Sequence, residues 1–93
     1  MSWNFAQPKN LAVITAASVV SGERPVLYVS HDEEDGGWQF LDGTALVETN
    51  ALVVGLGRMV DSDPALAELA DLPEGFIATR RSTEDVWVRQ RRA

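Results

Sequence analysis

Apolar residues recur along this chain in short bursts of four or five, separated by turn-forming clusters, and most bursts predict strands rather than helices. Leu11-Ala12-Val13-Ile14-Thr15 predicts a first strand. Residues 16–20 either extend it or form a short helical turn capped by Thr15. Ser21-Gly22-Glu23-Arg24-Pro25 is turn chemistry, because glycine accepts a positive φ and proline fixes its own. Val26-Leu27-Tyr28-Val29-Ser30 is β-branched and aromatic, and predicts the second strand. Trp38 and Phe40 alternate with Gln39, the period of a half-buried strand over residues 37–41, and Asp42-Gly43 then turns the chain.

The second half is less regular. Leu52-Val53-Val54-Gly55-Leu56 is apolar on both faces, so periodicity does not separate a central strand from a buried helix. The reading adopted is a strand ending near Gly55, then a helical turn through Arg58-Met59-Val60. Asp63-Pro64 marks a helix start, with Asp63 capping and Pro64 at the first helical position. That helix runs to about Ala70, burying Leu66 and Leu69, and Leu72-Pro73-Glu74-Gly75 ends it. Residues 76–80 and 86–89 predict two further strands joined through residues 82–85. Strands outnumber helices and their connections are short, which favours antiparallel pairing. The expected fold is α+β, a small, mostly antiparallel sheet of about five strands with one or two short helices. Ninety-three residues suit one domain, with residues 1–10 and 90–93 expected to be loosely ordered.

Composition narrows the function classes. The chain has no cysteine, which excludes disulfides and thiolate metal sites and fits a reducing compartment. Its first residues lack the basic and apolar regions of a signal peptide, and the apolar stretch over residues 11–20 is too short to span a bilayer, so a cytoplasmic protein is expected. Net charge is −6, unevenly spread: residues 23–74 carry a local balance of −10, residues 75–93 one of +3. Such an acidic surface repels nucleic acid and suits a basic protein partner.

The candidate chemistry centres on His31-Asp32-Glu33-Glu34-Asp35-Gly36-Gly37-Trp38. Four adjacent carboxylates repel one another and belong in solvent or against a cation. Asp32, Glu33, Glu34 and Asp35, with Trp38 on the strand behind them, are the expected partner-binding residues, Trp being frequent among interface anchors. His31 reads as a surface loop histidine. No catalytic residue is assigned: a triad would need His31, and no Gly-x-Ser-x-Gly elbow occurs. His31, Asp32 and Asp35 are weak metal candidates, since the run lacks the alternating spacing that wraps calcium, and a ligand- or metal-responsive module is the alternative reading. Gly55-Leu56-Gly57 lacks the remaining signature of a phosphate cradle and predicts a close backbone approach or a helix entry; no cofactor is expected. Trp3 and Trp87 are expected to pack in the core or at its rim.

Several ordered segments also carry a resemblance. Pro25-Val26-Leu27-Tyr28-Val29-Ser30-His31-Asp32, Asp35-Gly36-Gly37-Trp38-Gln39-Phe40-Leu41-Asp42-Gly43, Asp63-Pro64-Ala65-Leu66, Leu72-Pro73-Glu74-Gly75 and Ala78-Thr79-Arg80 resemble a bacterial domain family of unknown function. That family is grouped with the immunity protein 33 type of polymorphic-toxin immunity proteins. The resemblance covers about residues 11–89. Gly36-Gly37 stands where some members have Ser-Gly, and little acidic sequence follows Gly43. It implies a small α+β domain with no established activity and no known catalytic residues, and immunity through some members' gene neighbourhoods. Together with the acidic balance, a non-enzymatic, immunity-like binder of a basic, toxin-like protein is expected.

Overall fold

The structure, a computed structural model, describes residues 3–44 and 47–92. Strand β1 (Ala12–Ala16) turns Val13 and Thr15 inward and Ala12 and Ile14 outward, as alternation requires. One helical turn, α1 (Ala17–Val20), follows. Its cap position is Ala16 rather than Thr15, because the Thr15 hydroxyl is spent inside the sheet, donating to the Phe40 carbonyl at 2.6 Å. Strands β2 (Tyr28–His31) and β3 (Trp38–Leu41) form a hairpin around the acidic segment.

The ambiguous apolar run resolves as strand β4 (Ala51–Gly55) leading directly into helix α2 (Leu56–Ser62). The helix predicted after Asp63 is a 3₁₀ segment (Pro64–Leu69), capped as expected by Asp63 Oδ1 accepting from the Ala65 N–H at 3.1 Å. Strand β5 (Phe76–Thr79) then pairs with β6 (Val88–Arg91), which starts two residues later than predicted.

Among the described residues the sheet therefore has six strands, in the order β4-β1-β3-β2-β5-β6. It is α+β and mostly antiparallel, with one exception: β1 and β3 lie parallel. Those two strands are not consecutive, so a rule built on short connections does not reach them.

Register sorts the side chains. Val13, Thr15, Phe40, Trp38, Val29, His31, Ala78 and Phe76 share one face. Against it pack Phe5, Val26, Leu56, Met59, Leu66, Leu69 and Leu72 as a single core. Ile14, Val53, Gln39, Ser30 and Ile77 lie on the other face.

Of the ends expected to be loosely ordered, residues 1, 2 and 93 lie outside the described residues, and the rest make contacts with the fold. Phe5 is buried edge-on against Trp38, with ring centroids 5.3 Å apart, and the Trp3 indole N–H donates to the Gln7 carbonyl. The Lys9 carbonyl accepts from the Gly57 N–H at 2.8 Å; a Cβ on Gly57 would sit 2.9 Å from Lys9 Cβ, so this glycine permits the approach. At the other end Gln90 and Arg91 belong to β6, and the Arg92 N–H donates to the Gly75 carbonyl. Residues 3–10 and 90–92 are part of the fold because their backbone groups have partners in it, which composition does not reveal.

Candidate functional site

The acidic segment is a built turn, not a free loop. The Asp32 N–H donates to the Gly37 carbonyl at 2.7 Å, and the Gly36 N–H donates back to the Asp32 carbonyl at 2.9 Å. The Gly37 N–H is taken by Asp35 Oδ1 at 2.8 Å. Gly36 closes the turn at φ 71°, a conformation costly for residues with a Cβ. On the flank, the Gly75 N–H donates to the His31 carbonyl.

The four carboxylates therefore divide. Asp32 is half-buried, accepting from the Gln39 amide at 3.1 Å on one oxygen and from Arg92 at 3.2 Å on the other. Asp35 caps the turn. Glu33 and Glu34 stay exposed, with no cation in ion-pair range among the described residues. Glu74, just ahead of β5, brings another carboxylate close: its Oε2 lies 3.0 Å from where a Gly36 Cβ would stand. A cleft of about 460 Å³ opens here between Asp32, Glu34, Gln39, Gly75 and Arg92. Gln39, Glu74 and Arg92 are not evident from sequence because only the pairing of β2 with β3 and β5, and of β5 with β6, brings them to this turn. The +3 balance of the C-terminal stretch was the available hint: Arg92 answers part of the local excess of acid.

His31 and Trp38 lie elsewhere than expected. His31 is the last residue of β2 and only 7% exposed. Its ring stacks on Trp38 at 4.0 Å, and Nδ1 lies 2.7 Å from the Leu72 carbonyl. Since that carbonyl can only accept, Nδ1 carries the proton. The surface-loop reading of His31 fails because alternation turns it to the core face while Asp32, the next residue, turns to the other. His31 and Asp32 thus point apart, and Asp35 in the turn accepts from the Gly37 N–H, so the three do not converge. Among the described residues no three His, Asp or Glu side chains come together to hold a metal ion. Trp38 is 1% exposed, so its ring supports the turn from inside and offers no partner contact in the folded chain. Trp3 and Trp87 are half-buried against the core, at its rim.

A second cleft, about 410 Å³, lies beyond the ends of β1 and β3, between Ser18, Arg24, Asp42, Thr44 and Asn50. Asp42 accepts from the Ser18 hydroxyl at 2.6 Å and from both the hydroxyl and the N–H of Thr44. Chiefly through Ser18, then Thr44, with Arg24 adding a smaller attraction, its pKa falls from 3.8 to about 2. The carboxylate is thus ionised but already occupied, tying α1 to the end of β3.

In comparisons with protein-family models, curated proteins and solved structures, nothing matches this chain. No helix among the described residues is long and apolar enough to cross a membrane.

Proposed function

We propose that this chain is a non-enzymatic protein-binding domain of the bacterial cytoplasm, immunity-like in kind, whose acidic turn covers a basic site on a partner. The observation that carries the reading is the split among the carboxylates. Asp32 and Asp35 hold the turn in one shape, and Glu33 and Glu34 are left exposed at its tip with Glu74 beside them. Charges displayed on a pre-ordered turn lose little conformational freedom on binding, and they steer a basic partner in from a distance. The overall charge of −6 adds to that steering.

Affinity capture from the native host at low and high salt tests this, using wild type beside the Glu33→Gln/Glu34→Gln double variant. Wild type is expected to retain a protein rich in Lys and Arg at low salt and release it at high salt, and the variant to retain much less. Equal capture by both proteins, or no capture at low salt, would refute the reading.

A further inference from the structure

Among the described residues, the β6 edge of the sheet is guarded and the β4 edge is not. The Leu56 N–H donates to the Leu11 carbonyl, and the same antiparallel register pairs Val13 with Val54 and Thr15 with Leu52. Hydrogen-bonded pairs alternate along an antiparallel ladder, so Leu52 and Val54 spend their backbone groups on β1. Ala51 and Val53, with the Gly55 N–H, turn theirs away from the sheet. The segment Ala-Leu-Val-Val-Gly carries no charge and no proline, and it leaves Val53 70% and Leu52 39% exposed. At the opposite edge the Arg92 N–H bonds the Gly75 carbonyl, and Ile77 pairs with Gln90. The outward backbone groups there belong to Arg89 and Arg91, whose like charges oppose a second strand of the same kind. Charge or proline is the usual protection of an edge strand.

The geometry points to β4 as the interface between two copies of this chain, paired antiparallel about Val53. The outward groups are symmetric around that residue. A two-fold axis there lets Val53 exchange N–H and C=O with the second copy's Val53. The Gly55 N–H meets the other copy's Ala51 carbonyl, twice over by symmetry. The axis stands perpendicular to the sheet, so both copies keep their helices on one side of a continuous twelve-stranded sheet. Val53 shares its face with its ladder partner Ile14, itself 38% exposed, and beside the axis these residues form an uncharged apolar strip across both copies. On the opposite face Leu52 stands across from the second copy's Val54. An uncharged edge imposes no like-charge penalty at the contact. The acidic turn joins β2 and β3, beyond β1, so the repulsion between two copies acts at longer range, and salt should strengthen the dimer.

Sedimentation velocity over a concentration series, with wild type, V53K, V53E and V53P, tests the contact. A contact of one strand falls at the small end of protein interfaces, so half-association is expected at roughly 10–100 µM, between 10.2 kDa and twice that mass. V53K and V53E each place like charges face to face and should raise the dissociation constant at least tenfold. Their equimolar mixture should restore association, since Lys then meets Glu. V53P removes an N–H that β1 does not use and should remain folded by circular dichroism, yet monomeric. A wild type monomeric up to about 1 mM would overturn the proposal. So would undiminished association of V53K, failure of the mixture to recover, or a ladder of higher oligomers, which would mean that β4 pairs with β6 of the next copy.

Discussion

Replacing Asp63 by Ala probes the joint between the 3₁₀ segment and the sheet. Arg80 follows directly on β5 with a side chain only 1% exposed. Its Nε and Nη2 donate to the Val26 carbonyl at 3.0 and 2.9 Å, and Nη2 also donates to Asp63 Oδ2 at 2.6 Å. The guanidinium lies 4.3 Å from the Trp87 ring centroid. Asp63 thus caps the 3₁₀ segment with one oxygen and balances a buried cation with the other. Removing the cap alone costs about 1 kcal/mol. Leaving a buried charge without its partner costs about 3–5 kcal/mol. Because Arg80 keeps the Val26 carbonyl and Trp87, and Asp63 is a quarter exposed, the low end applies to the charge, about 3 kcal/mol, or about 4 kcal/mol with the cap. For a domain of this length that lowers the melting temperature by roughly 16–32 °C. Asp63→Asn has a single acceptor oxygen, so it keeps one of the two contacts and sets its NH2 against the other donor; a loss of about 2 kcal/mol, short of that of D63A, is expected. Urea unfolding followed by tryptophan fluorescence measures both. A D63A protein within about 1 kcal/mol of wild type would refute the account of Arg80 as a buried cation that needs its partner.

Trp38→Ala should cost about 3–5 kcal/mol, since the ring is enclosed by Phe5, Phe40 and His31, and a melt within a few degrees of wild type would contradict that packing. Glu33→Gln/Glu34→Gln should leave the melt unchanged or slightly raised, most visibly at low salt, whereas Asp32→Ala should lower it by breaking the bonds to Gln39 and Arg92. Asp42 has a folded pKa of about 2 against an ordinary 3.8, so its contribution is complete above about pH 4 and is lost as pH falls toward 2. That contribution is about 2 kcal/mol, and Asp42→Asn should flatten the acid limb of the stability curve over the same interval, as acid titrations of urea midpoints would show. Gly36→Ala should destabilise the turn through the strain of its positive φ and the crowding against Glu74, and hydrogen exchange at Gly37 should speed up.

Local chemistry determined a good part of this fold. Alternation at Trp38-Gln39-Phe40 gave a strand with the right inward residues, and Asp63-Pro64 gave a capped segment, because side-chain period and capping are properties of a few neighbouring residues. The strand-to-helix passage at Gly55 followed from the glycines that let Lys9 approach. Tertiary structure alone decided the rest. His31 and Asp32 are adjacent in the chain and on opposite faces of the sheet, a consequence of β2 extending through residue 31. Arg92 reaches Asp32 across 60 residues, and β1 lies parallel to β3, because strand order and register are settled by which faces bury apolar area together. The division of the acidic run into two carboxylates bonded within the fold, Asp32 and Asp35, and two that extend from the turn, Glu33 and Glu34, belongs to the same class. It depends on where Gln39, Gly37 and Arg92 arrive, and no property of four consecutive acidic residues contains that information.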